Sequence, residues 1–82
     1  MKKTIYSKNG KIIRQRLMEI RKKSGLTQRE LGKRLNQAHS FISKCERGER
    51  RVDIAEFYLI CKACGVSPYE EASTLIKAFD KK

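Results

Sequence analysis

Few residues in this chain have side chains suited to bond-making chemistry. His39 is the sole histidine, and the thiols are Cys45, Cys61 and Cys64. Cys61-Lys62-Ala63-Cys64 has the spacing of a metal-ligand pair, and Cys45 with His39 would be needed to complete a zinc set. One Cys-x-x-Cys without a second pair is a weak metal signal. Free cysteine is among the most buried residue types, so the reading is three reduced core thiols and no metal. There is no Ser/His/Asp arrangement and no glycine-rich phosphate loop, and the acids fall mostly where helices need caps or ion-pair partners. Catalysis, a cofactor and a small-molecule ligand are therefore not expected.

What remains is the chemistry of charge and hydrogen bonding. The 82 residues carry 20 Lys/Arg against 9 Asp/Glu, a net charge of +11. Residues 1–51 hold 16 basic and 4 acidic side chains, +12, whereas residues 52–82 hold 4 and 5, −1. One end is strongly cationic and the other nearly neutral, which suits a polyanion on one face, nucleic acid ahead of a membrane surface. The rival is a protein-interaction module, antitoxin-like, whose main ligand is an acidic protein. It would use the same basic face without reading bases. No stretch approaches the roughly eighteen apolar residues of a membrane span. Met1-Lys2-Lys3 leads into polar residues rather than a signal sequence. An odd number of cysteines cannot all pair within one chain, so a soluble protein of the reducing cytoplasm is expected.

These groups must be positioned by helices, because helix signals recur along the chain and no strand pattern does. Residues 1–9 read as a basic N-terminal arm, and residues 10–80 as a single domain. From about Gly10 to Ser24, Ile13, Leu17 and Ile20 recur at helical spacing, and Gly25 supplies a left-handed stop. Thr27-Gln28-Arg29-Glu30 is a capping box, with Leu26 and Leu31 spaced as a hydrophobic staple. The second helix runs from Gln28 to about Leu35, and Asn36-Gln37 makes a turn. A third, short helix directs Ala38, Ile42 and Cys45 inward and His39, Ser40, Ser43 and Lys44 outward, ending before Gly48. Asp53 to Glu56 is a second box. The helix that follows carries Ile54, Phe57, Ile60, Cys61 and Cys64 toward the core until Gly65. Ser67-Pro68-Tyr69-Glu70 is a third, with proline at the first helical position, and its helix reaches about Phe79. Five helices with short connections make an all-α domain.

The run Leu17…Ile20-Arg21…Gly25-Leu26-Thr27-Gln28…Leu31…Leu35…Ile42-Ser43-Lys44…Glu46-Arg47-Gly48, extended by Gly65-Val66-Ser67, resembles the phage-repressor and Cro type (XRE-like) of helix-turn-helix family. The likeness covers about residues 12–72. It implies a compact five-helix, lambda-repressor-like domain whose second and third helices form the helix-turn-helix. The function implied is sequence-specific double-stranded DNA binding by a homodimeric transcriptional regulator on a palindromic operator. Stand-alone regulators of this layout include restriction–modification controllers, phage repressors and antitoxins. A major groove about 12 Å wide admits a helix held proud of the surface.

His39, Ser40, Ser43 and Lys44 are accordingly expected to read bases. Gln28 is expected either to meet a phosphate or to orient a recognition-helix residue. Arg29, Arg47, Arg50 and Arg51 are candidates for the sugar-phosphate backbone. By the resemblance, Arg21 and Glu46 form a structural ion pair. Phe41 departs from the small polar residue usual in the family, and either touches a thymine methyl or sugar or packs on the second helix. Gln37-Ala38 leaves the third helix without a side-chain cap, Asn36 stands where the family turn usually has glycine, and Gly32 replaces a common alanine. The last helix presents Tyr69, Ala72, Leu75, Ile76 and Phe79, a stripe wide enough to serve as a dimer interface as well as a core face.

Overall fold

Local side-chain caps set the starts of three helices. In the computed structural model, which describes residues 8–81, Thr27 and Asp53 each accept from the amide three residues on, and Glu30 and Glu56 reach back to close both boxes. The Ser67 hydroxyl accepts from the Glu70 amide, but Glu70 makes no reciprocal bond, so the third box is half formed. The helices are α1 (Lys8–Lys23), α2 (Gln28–Arg34), α3 (His39–Glu46), α4 (Ile54–Ala63) and α5 (Pro68–Asp80), with no strand among the described residues. None of these helices is long and apolar enough to cross a membrane.

α1 begins at Lys8, so residues 8 and 9 are helical rather than part of an arm. The rest of that arm, residues 1–7, lies outside the described residues. α2 stops at Arg34, with Leu35 as its C-cap. α1 to α4 each end on a backbone bond that spans six residues, such as Leu26 N–H to Arg21 C=O and Gln37 N–H to Gly32 C=O. That closure needs a left-handed residue next to it. Glycine fills the place three times, and Asn36 fills it after α2 at φ 57°. A side chain at Gly48 would be strained because φ is 76°, and its Cβ would also displace the end of the Arg14 side chain.

The core draws on all five helices: Leu17 and Ile20 from α1, Leu31 from α2, Ile42 from α3, Phe57, Ile60 and Cys61 from α4 with Cys64 at its C-cap, and Leu75 from α5. Leu26, ahead of the α2 cap, joins it. Two expected core residues are not there. Ile54 is 77% exposed, because as the first residue of α4 it lies past the edge of the core. Ala38 is exposed as the N-cap of α3, one residue before the helix whose inner face it was to share. Arg16 of α1 ties α5 to this body by a two-pronged bond to Glu71, at 2.6 and 3.1 Å. That bond holds the Arg16 guanidinium pKa above its ordinary value.

Candidate nucleic-acid interface

In this chain the helix-turn-helix is built on a close approach at Gly32, where the family commonly has alanine. A Cβ on Gly32 would lie 2.8 Å from the Gln37 carbonyl oxygen and 3.3 Å from the His39 Cα, so the start of α3 rests on the α2 backbone. α3 has no side-chain cap, since Ala38 cannot provide one. The Phe41 N–H of its first turn instead donates to the Ala38 carbonyl at 3.0 Å.

Along α3 the buried residues are Ile42, Cys45 and Glu46. His39, Ser40 and Lys44 are exposed and Ser43 is half-buried. None of these four side chains hydrogen-bonds or pairs with another described residue, so the structure groups them on one unengaged polar face. An array of this kind can exchange hydrogen bonds with base edges.

Beneath that face lies a buried polar network. Arg21 Nε and a terminal nitrogen donate to the Glu46 carboxylate at 2.6 and 3.1 Å. Gln28 Nε2 donates to the same carboxylate at 2.9 Å, and Arg21 also donates to the Leu26 carbonyl at 2.8 Å. Three helices thus meet on one carboxylate. Of its two expected roles, Gln28 here takes the orienting one.

The arginines flanking α3 are not equivalent. Arg29 and Arg51 are exposed, without an acidic partner among the described residues. Arg47 pairs with Glu49 at 2.9 Å, with both side chains more than half exposed. Arg50, expected at the DNA backbone, is already occupied. It donates to both Glu56 oxygens at 3.0 and 2.7 Å and to the Arg51 carbonyl at 3.0 Å. Its guanidinium carbon lies 4.5 Å from the centre of the Phe41 ring. The bonds to Glu56 raise the Arg50 pKa and hold the Glu56 carboxyl below its ordinary range. Phe41 is half-buried against the core edge, turned away from solvent by this lid. The sequence gives no local signal for the Arg50–Glu56 clasp, nor for Arg16–Glu71 or the Arg34 bond to the Ala63 carbonyl at 2.7 Å.

The three thiols are buried in the protein interior. Burial pushes Cys61 up to about 11 and also raises Cys45 and Cys64. A protonated, enclosed thiol is a poor nucleophile and a poor metal ligand. Among the described residues no group of three or more His, Cys, Asp or Glu side chains is placed to hold a metal ion.

On the far side of the molecule α5 divides its stripe. Leu75 is buried in the core of its own chain, yet it also lines the groove on this side. Tyr69 and Ile76 are exposed, and Ala72 and Phe79 are half-buried. Ile54 of α4 joins this side, and Ile13, Val52, Ile54, Ile76 and Phe79 line an apolar groove of about 200 Å³ between the two helices.

Residues 17–70 match the helix-turn-helix family. An XRE-family like protein from Pseudomonas syringae pv. tomato superposes with a TM-score of 0.81 at 38% identity, over 89% of this chain and 88% of that one. Two single-residue mutants of the restriction–modification controller protein C.Esp1396I are similar as well. One has a TM-score of 0.81 at 31% identity over 92% and 100% of the two chains, the other 0.79 at 32% over 92% and 95%. No curated protein matches the chain. The family match over most of the chain, and the agreement of fold with these structures, lead to one conclusion: this chain belongs to the XRE family of helix-turn-helix DNA-binding transcriptional regulators.

Proposed function

We propose that this protein binds double-stranded DNA sequence-specifically as a homodimer, with one α3 in the major groove of each half of a palindromic operator. The observation that carries the reading is the unengaged face of His39, Ser40, Ser43 and Lys44, backed by the buried Arg21–Glu46–Gln28 network. A reading helix must be held to a fraction of an ångström, and a satisfied network behind it supplies that rigidity. Arg29 and Arg51, joined by Arg47 where a phosphate displaces its largely exposed partner Glu49, flank the helix as phosphate contacts, which add affinity and register without sequence information. The exposed apolar side formed by Tyr69, Ile76, Phe79 and Ile54 joins two copies, so that two half-sites about one helical turn apart are read together. Likeness over nearly the whole chain to a restriction–modification controller supports a regulatory role of that kind. The protein acts in the cytoplasm, on the DNA it controls.

The test is the binding of Ser43→Ala and Lys44→Ala. Each is expected to weaken operator binding by roughly 1–3 kcal/mol while leaving the thermal melt unchanged. Full operator affinity in both, by gel-shift titration, removes α3 from the reading role.

A further inference from the structure

Arg50 stands at a junction that the DNA-facing residues do not explain. α3 and α4 are not a closely packed pair, yet α3 carries the four candidate readers. Phe41 lies among those readers in sequence, so the contacts of its ring bear on the roll of the helix, beside those of the buried Ile42, Cys45 and Glu46. The Arg50 guanidinium lies over that ring, 4.5 Å from its centre, and Glu56 and Leu59 of α4 share a recess with the ring. That guanidinium is fastened in turn to Glu56 at 2.7 and 3.0 Å. Glu56 is rigid for a second reason, since it closes the α4 capping box by accepting from the Asp53 amide at 3.0 Å.

We propose that Arg50 is a positioning residue for the recognition helix. By stacking on Phe41 and clasping Glu56, it fixes α3 against α4 and so sets base discrimination, without bonding a DNA phosphate. The inference rests on the reading of α3 as the base-reading helix. A phosphate would have to displace a planar, two-pronged carboxylate partner that fits the guanidinium fork, and the ring already covers one guanidinium face. The neighbouring Arg51 has no acidic partner among the described residues, so the loop divides two exposed cations, Arg50 paired with Glu56 and Arg51 unpaired. A reading constellation tolerates only about 10–20° of misorientation before it fails. Release of the ring therefore costs specificity before it costs the fold.

The experiment compares wild-type protein, Arg50→Gln and Glu56→Gln on two probes over a salt series. One probe is a duplex enriched by the wild-type protein from a random-sequence pool, and the other is a shuffled duplex of the same composition. Glutamine can serve in a capping box, so Glu56→Gln spares the α4 start while reducing the charged, two-pronged clasp to one neutral bond at the Oε1 position. All proteins are measured where circular dichroism shows them folded. In both variants the ratio of specific to shuffled affinity is expected to fall roughly three- to tenfold. The slope of log affinity against log salt is expected to match wild type. A slope smaller by about 0.9 in Arg50→Gln with the ratio unchanged would make Arg50 a phosphate contact and overturn the proposal. So would tighter binding of Glu56→Gln to both probes with the ratio unchanged. Should Arg50→Gln not fold, Glu56→Gln decides. A wild-type protein with no preference between the probes sinks the base-reading function, and this inference with it.

Discussion

Removal of Glu46 should strand two donors at once. Its carboxylate accepts from Arg21 at 2.6 and 3.1 Å and from Gln28 at 2.9 Å, and only 10% and 5% of the Arg21 and Glu46 side chains are exposed. Glu46→Leu leaves a guanidinium out of water without a counter-charge, a loss of about 3–5 kcal/mol. Arg21→Met leaves the carboxylate in the same position and should cost a similar amount. A domain this size has about 4–12 kcal/mol of stability in all, so either change alone brings it near unfolding. The double change Arg21→Met with Glu46→Leu leaves no buried charge. It loses the Arg21 bond to the Leu26 carbonyl and the Gln28 bond to Glu46, about 1 kcal/mol each. The cycle should therefore show a coupling of at least about 2 kcal/mol, with the double mutant more stable than either single one. Urea unfolding followed by circular dichroism measures all four proteins. Additive losses would show that the two side chains stabilise the fold independently, and that the network is not what holds α3.

Three other outcomes follow from the structure. Gly32→Ala should lower the melting temperature, although alanine favours a helix by about 1 kcal/mol; the new Cβ would meet the Gln37 carbonyl at 2.8 Å, and a higher melting temperature would contradict the close approach. Ile76→Asp, at a position 57% exposed, should leave the fold intact and convert a dimer to a monomer in sedimentation at micromolar concentration; an unchanged mass would take α5 out of the interface. Cys61 binds its proton more tightly in the folded chain, with its pKa raised from 9.0 to about 11, so its contribution is complete below pH 9 and is lost as the pH rises to about 11; Cys61→Ala should keep more of its own urea stability over that interval than wild type keeps, and equal losses would refute the assignment.

What could be read from the chain alone was what depends on near neighbours. The boxes at Thr27/Glu30 and Asp53/Glu56 are three-residue patterns, and both close as expected. Asn36 stands where the family's turn usually has glycine, and asparagine tolerates the left-handed conformation that it takes here. The outward face of α3 followed from helical spacing, except at Ala38, which precedes the helix. Contacts between distant residues left no such mark. Arg16 and Glu71 are 55 residues apart, and nothing local indicates that they meet. Arg50 was legible as a cation beside α3, but its choice between a phosphate and Glu56 depends on where the first turn of α4 lies. For the same reason the α5 stripe could be drawn without showing that the core would take Leu75 while Ile54 stayed outside.

The central claim is that two copies of α3 read two halves of one DNA site. Selection of bound duplexes from a random-sequence pool by the wild-type protein, at moderate salt, tests it most directly. The account predicts enrichment of an inverted repeat whose half-site centres lie about one helical turn, roughly 34 Å, apart. That preference should persist as salt rises, while binding to unrelated DNA falls away. Retention of duplexes with no common sequence, released together as salt increases, would mean a cationic surface that binds DNA without reading it, and would contradict the account.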